Sequence, residues 1–373
     1  RLPLGEREAH VVDHDDAAPV RPEVHAQAGN PERHVVGVGG CHIGESSRWP
    51  VLPGSGRAGP GRSQQFGQAP HAVDILQRLD QLERALGPTL AQDRSRGGEE
   101  LGVDVELVPI VTRGDVQQQG PVESIGAQGV FTKEIQRALL ENQVDLAVHS
   151  LKDLPTEPIA GLCLAAVPQR APVCDALVSR DGTTLAQLPP SAVVGTGSLR
   201  RRAQLLYHRP DLQTREIRGN VDTRLGKVDA GDYDAIVLAE AGLRRLELAD
   251  RITELLPLSI SLPAVGQGAL GLETRTDDEI TRSALAALDD AASHAAVRAE
   301  RAMLAMLEGG CLAPIAAWGR VEQDSLLLTG RVLDRDGTRR LQIALAGEPA
   351  AAEDLGRRVA EELIRQGAAE LIR

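Results

Sequence analysis

From residue 103 the chain reads V-D-V-E-L-V-P-I through 110, the period-two alternation of a strand with one buried face. Residues 129–140, G-V-F-T-K-E-I-Q-R-A-L-L, read as a helix, and 144–148 is a short apolar run that reads as a buried strand. Strand, helix and strand at these lengths predict a parallel α/β sheet. A second unit of the same kind begins near Val173, with strand-like stretches at 176–179, 192–195 and 233–239 and helices after the second and third of them. The Gly-rich stretch 261–272, S-L-P-A-V-G-Q-G-A-L-G-L, lacks the strand-turn-helix setting of a dinucleotide fingerprint and reads as a hinge returning to the first unit. After Asp277 the pattern is helical to Leu307. Two alternating strands at 325–346 flank D-R-D-G, and a helix runs 351–366, which predicts a small α+β domain at the end.

Residues 1–102 have almost no apolar periodicity. The exceptions are a β-like run at 34–38 and a helical pattern on Val73, Leu76, Leu79, Leu82 and Leu86, stopped by Gly87 and Pro88. Six of the nine histidines fall here, but their spacing, with Cys41 and His42, fits no metal site. This segment is expected to be disordered or mistranslated.

The formal charge of -12 argues against a nucleic-acid partner, since phosphate contacts need a basic face. Aromatics are only 2%, so the cores must be aliphatic. Cysteines at 41, 163, 174 and 311 have neither metal-ligand nor disulfide spacing, which predicts a reducing compartment and no metal. No run of 18 apolar residues exists and no signal-like segment opens the chain. A cytoplasmic protein that does not enter a membrane is expected.

In open α/β sheets ligands bind beyond the carboxyl ends of the strands, where this chain places H-S-L-K-D-L-P at 149–155. Asp153 is the candidate acid/base there, with a turn or helix cap as the plainer reading, and His149 reads as structural. In G-T-G-S-L-R-R-R at 195–202, small residues before a helix form an anion cradle of free N–H groups. Arg200 and Arg201 add forks suited to carboxylates, although a run of charge on a helix also describes a solvated face. R-E-I-R-G-N-V-D-T-R-L at 215–225 repeats the theme, so an acidic ligand with several carboxylates is expected. Finally, L-E-G-G-C-L-A-P at 307–314 puts Cys311 on a glycine turn closed by proline, where it is either a reactive thiol or a small apolar residue in a helix-ending turn.

These motifs, with V-T-R-G-D at 111–115, V-H-S-L-K-D-L-P at 148–155, R-G-N-V-D-T-R-L at 218–225, S-L-P-A-V-G-Q-G-A at 261–269 and E-G-G-C at 308–311, resemble the porphobilinogen deaminase family, also called hydroxymethylbilane synthases, over about residues 103–373. The resemblance implies two domains like type II periplasmic binding proteins, at 103–172 with 266–288 and at 173–265, and a cofactor-bearing α+β domain at 289–373. It implies a cytoplasmic, monomeric transferase that joins four porphobilinogens head to tail, releases ammonia and yields hydroxymethylbilane. A dipyrromethane cofactor would be held by a thioether to Cys311. Asp153 would stabilise positive charge on pyrrole nitrogens and move protons. Arg200, Arg201, Arg218, Arg224 and Arg245 would hold acetate and propionate groups, with Ser198 and Lys152 assisting and Phe131 packed beside the cofactor.

Two departures stand against the family pattern. Ser124 and Gln128 occupy positions where lysines are usual. The opening strand and its T-R-x-S-P-L-A-type turn are not found, so the first domain is expected to lack its first strand. The run at 34–38 and the helix at 73–86 could imitate them, but more than thirty residues would separate the two, too many for a compact domain. The alternative is therefore an inactive or non-catalytic anion-binding protein.

Overall fold

The structure, a computed structural model, describes residues 33–39, 104–110, 132–307 and 313–372. In the first α/β unit, β1 (Arg33–Gly39) and β2 (Asp104–Ile110) are followed by α1 (Lys133–Leu140), β3 (Leu146–Ser150) and β4 (Leu162–Ala166). The chain then crosses to a second unit of β5 (Asp175–Ser179), β6 (Val193–Gly195), α2 (Leu199–His208), β7 (Gln213–Arg215), α3 (Val221–Asp229), β8 (Ala235–Ala239), α4 (Glu240–Arg245) and β9 (Glu254–Leu255). It returns through β10 (Leu270–Arg275) and α5 (Glu279–Ala286).

The two sheets have one plan. Their orders are β2-β1-β3-β10-β4 and β7-β6-β8-β5-β9, each with three parallel strands, then an antiparallel fourth. That fourth strand is in both cases the first one after a crossing. β8 is flanked on both sides, and Ala235, Ile236 and Val237 are almost fully buried, as a continuous apolar run requires. This is the expected pair of periplasmic-binding-protein-like domains.

The expectation that the first domain lacks its opening strand is corrected by β1. Its backbone lies between β2 and β3, pairing in parallel along its whole length with β2 and through Val36, Gly37 and Val38 with Leu146, Ala147 and Val148. The run V-V-G-V, β-branched and without a polar interruption, suits a strand with two neighbours. The sequence after Gly39, G-C-H-I-G-E-S, still carries no T-R-x-S-P-L-A turn. The expectation of disorder or mistranslation for the rest of 1–102, and the helical pattern at 73–86, lie outside the described residues.

The helical stretch expected from Asp277 to Leu307 is divided. Asp289 accepts the Val167 N–H at 2.7 Å, and Asp290 caps a new helix, α6 (Ala291–Met306), by accepting the Ser293 N–H at 2.8 Å. Short carboxylates compete for backbone donors, and that ends one helix and begins the next. α5 packs on the first sheet through Leu285, whereas α6 lies on the third. That third sheet has one strand more than the two expected: β11 (Ile315–Glu322), β12 (Ser325–Leu333) and β13 (Arg340–Gly347) form an antiparallel meander. α7 (Ala352–Arg365) and α8 (Ala368–Ile372) complete this domain, whose core joins Met303, Leu328, Val359 and Leu363.

The C-terminal domain grips both α/β units. Glu300 on α6 is fully buried, takes a bidentate ion pair from Arg170 at 2.7 and 3.1 Å, and accepts the N–H groups of Gly266 and Gly319 at 2.7 and 2.6 Å. Arg331 on β12 donates to Gln204 of α2 at 2.6 Å and to the carbonyl of Ser259 at 3.1 Å. The two crossing segments lie together, with the Ala171 N–H bonded to the Gly268 carbonyl at 3.1 Å. Gly268 has φ +84°, and a Cβ there would lie 2.5 Å from the Ala171 oxygen, so only glycine fits the crossing.

Candidate active site

β3 ends in a single 3-10 turn, Leu151–Asp153, whose apolar and polar residues separate by face. Leu151 and Leu154 are buried with Val167, Ala269 and Val297, while Lys152 and Asp153 are exposed. The Asp153 carboxylate has no hydrogen-bond partner among the described residues. Its turn is fixed by backbone groups: Leu151 N–H to Ala269 O at 3.1 Å, and Leu154 N–H to Leu151 O at 3.3 Å. His149, next to this turn, is buried, and its Nε2 lies 2.8 Å from Glu273, which also accepts from Gln136 at 3.1 Å. That is a structural network, not a reactive imidazole.

The second half of the site is the start of α2. Ser198 caps the helix by accepting the Arg201 N–H at 3.4 Å, while Thr196 accepts the Ser198 N–H at 3.2 Å. Arg200 and Arg201 do not form a solvated face. Both are buried, and their forks close on a carboxylate of the chain itself, Asp175 at the start of β5. Ser261 Oγ and Gln267 Nε2 also donate to Asp175, at 2.6 and 3.0 Å. Burial alone would raise the Asp175 carboxyl, but the two guanidiniums more than reverse this and hold it well below the usual carboxylate range. Burial lowers the Arg200 guanidinium, with Asp175 opposing.

A folded-state pKa below the unfolded one contributes stability above the unfolded value, near 4, and loses it as pH falls from there. The melting-temperature gap between the protein and its Asp175→Asn variant is therefore expected to narrow steadily below about pH 4 and to be constant above about pH 5. A gap independent of pH down to 3 would show that Asp175 is not held ionised.

Arg218 and Arg224, at the join of β7 and α3, are half-buried: Arg218 pairs with Glu216 at 2.6 Å and Arg224 Nε donates to Gly219 O at 2.8 Å. Arg245 donates to Gly268 O at 3.3 Å. Phe131, Cys311, Ser124 and Gln128 lie outside the described residues. Leu307 and Ala313, the described residues on either side of Cys311 in sequence, are both buried in the C-terminal core.

Three consecutive hinge residues gather the Asp153 turn, the Asp175 cluster and Arg245. A Cβ on Gly266 would come within 3.0 Å of Leu151 and 3.1 Å of the Lys152 nitrogen, so the hinge backbone lies against the Asp153 turn. Gln267 bonds Asp175 at 3.0 Å and lies 3.5 Å from Arg200, and Gly268 holds Arg245. The carboxylate turn and the arginines Arg200 and Arg245 thus come from different α/β units and meet on one segment. One carboxylate faces two guanidiniums at α2, leaving a net positive charge, and the buried Arg200 Nε has no partner among the described residues.

Asp175, Ser261 and Gln267 were not apparent from the sequence as site residues. The available signal for Asp175 was a lone acid opening the strand D-A-L-V-S at 175–179, in a chain that also carries R-R-R at 200–202.

The family described as porphobilinogen deaminase, dipyromethane cofactor binding domain, matches residues 78–283, and the porphobilinogen deaminase C-terminal domain matches 294–365. The first match begins inside the segment that looked foreign by composition. A porphobilinogen deaminase of Syntrophotalea carbinolica is 49% identical over 271 residues, covering 73% of this chain and 86% of that protein. Among solved structures, a putative methionine-binding lipoprotein of Bacillus subtilis aligns at 12% identity, 69% of this chain and 90% of its own, with a TM-score of 0.35. A YaeC-family lipoprotein of Enterococcus faecalis aligns at 14% identity, 69% and 92%, also with 0.35. Likeness at that level carries no argument, and the fold rests on the two strand orders.

Proposed function

The chain belongs to the porphobilinogen deaminase family, and from that membership we propose how its residues divide the work. It is a transferase of tetrapyrrole biosynthesis that condenses four porphobilinogens head to tail, with release of ammonia, to hydroxymethylbilane. The family match disfavours the non-catalytic anion-binding alternative. The dipyrromethane cofactor, when bound, supplies the free α-carbon from which the chain of rings grows.

In this reading Cys311 tethers the cofactor through its sulfur. Asp153, exposed on a turn that its neighbours immobilise, opposes the positive charge that develops on the substrate pyrrole nitrogen as ammonia leaves. It also takes and returns protons at that nitrogen. Lys152 and the Ser198 hydroxyl bind substituent carboxylates together with Arg218, Arg224 and Arg245, while Arg200 and Arg201 supply the buried excess of positive charge that Asp175 only half neutralises. Each added ring brings two more carboxylates, which is why so many arginines line one site. Phe131 packs beside the cofactor. The observation that supports this most is the meeting of Asp153's turn and the arginine cluster on Gly266–Gln267–Gly268.

The same reading divides the chain into domains at 103–172 with 266–288, 173–265 and 289–373, with β1 added to the first. It takes the protein as a cytoplasmic monomer acting on a small molecule, without nucleic acid or membrane. No helix among the described residues is long and apolar enough to cross a membrane. The test is incubation of the purified chain with porphobilinogen. One ammonia released per substrate consumed, with a linear tetrapyrrole as product, is the expected result; porphobilinogen left unconsumed would overturn it.

A further inference from the structure

We infer that Arg301 is a positioning residue for Asp153, through which the C-terminal domain sets where that carboxylate stands. The inference rests on the role given to Asp153 above. Arg301 lies on α6, and its two terminal nitrogens donate to consecutive carbonyls directly after Asp153: Nη1 to Leu154 O at 2.8 Å and Nη2 to Pro155 O at 2.6 Å. The planar fork matches two adjacent carbonyls in one fixed geometry, which the rotatable donors of a lysine ammonium do not impose.

Stability alone does not account for this arginine. Its guanidinium is largely buried and has no ion-pair partner among the described residues. Burial pushes its pKa down, opposed by the charge of Glu273. A buried cation held by carbonyls alone is costly, and an apolar side chain would fill the same space more favourably. What the fork supplies is geometry. Val297, one turn earlier on the same face of α6, packs with Leu151 and Leu154, so one helix holds the apolar underside of the turn and its outward carbonyls together. Glu300, the preceding residue, fixes Gly266 N–H at 2.7 Å, which sets the hinge against the same turn. α6 ends at Met306, shortly before Cys311 in sequence. A single helix therefore positions the carboxylate and ends a few residues before the proposed tether in sequence.

The test compares kcat and KM for porphobilinogen in the wild type, Arg301→Met, Arg301→Lys, Asp153→Asn and the double variant Asp153→Asn/Arg301→Met. Arg298→Gln serves as a control, since Arg298 lies on the same helix but is exposed and pairs with Glu353 at 3.2 Å. A displaced reacting group costs on the order of 10²-fold in rate. Arg301→Met is expected to lower kcat by about 10–100-fold with KM nearly unchanged, Arg301→Lys to fall between, and Arg298→Gln to match wild type. In the Asp153→Asn background the same Arg301→Met change is expected to cost less than about threefold, because the group it positions is gone. Amide hydrogen exchange in a peptide spanning residues 151–157 is expected to quicken in Arg301→Met and Arg301→Lys, a readout independent of turnover. Wild-type kcat in Arg301→Met, an equal loss in both backgrounds, or unchanged exchange in 151–157 would overturn the inference. A wild-type chain that consumes no porphobilinogen would instead overturn the reading of Asp153, with the exchange measurement still deciding what Arg301 holds.

Discussion

Replacing Asp153 by asparagine is expected to lower kcat by about 10²–10³-fold, the loss typical when one preorganised charge-stabilising group is removed. The substitution keeps size and shape, and the side chain is exposed with no partner among the described residues, so it removes charge without removing a contact. Stability should then change by no more than about 0.5 kcal/mol, as for an ordinary surface substitution. The effect should fall on kcat more than on KM, because the cation that the carboxylate opposes develops as ammonia leaves and is absent from the bound substrate. Steady-state kinetics paired with a thermal melt would separate the two effects. Turnover above half of wild type in the asparagine variant would remove Asp153 from the chemistry.

Asp175→Ala is expected to have the largest effect on stability, a loss of about 3–5 kcal/mol, the usual consequence of removing one partner from a buried charge cluster. Two buried guanidiniums would face each other without a counter-ion, and Ser261 and Gln267 would lose an acceptor. The damage spreads beyond one domain, since Arg200 and Gln204 both bond the Leu262 carbonyl, at 2.5 and 3.0 Å, and Gln204 accepts from Arg331 of the C-terminal domain. Asp175→Asn should cost less, because it keeps one oxygen acceptor. Urea unfolding of both variants would measure this; a loss under 1 kcal/mol for the alanine variant would mean that the guanidiniums find other acceptors or water.

Elements whose burial is local were legible in the sequence. β3 and β8 are apolar runs between polar ends, and α7 has a single apolar face, so period and length define them without tertiary knowledge. β11 was missed because I-A-A-W-G-R-V-E mixes small, aromatic and charged residues, and it becomes a strand by pairing with β12. The opening strand is hard to read in the sequence because the motif expected after it is absent. Backbone pairing needs only the extended V-V-G-V run, whereas the motif belongs to chemistry, and the two need not go together.

At the site, glycine turns and strand ends pointed to Asp153 and to the start of α2. What could not be read was the direction of the arginines. R-R-R at 200–202 looks alike whether it faces a ligand or a buried aspartate, and Asp175 lies 25 residues from Arg200 in sequence. Arg301 was invisible for the same reason: its partners are backbone carbonyls 147 and 146 residues away, which leave no trace in composition or spacing.

The measurement that tests the central claim most directly is an intact mass of the purified chain beside its Cys311→Ala variant, with an aldehyde-reagent colour test for a dipyrrole on both. The account predicts a mass excess equal to two linked pyrrole units and a positive colour in the wild type, with both lost in the variant. An unmodified, colourless wild-type chain would contradict it.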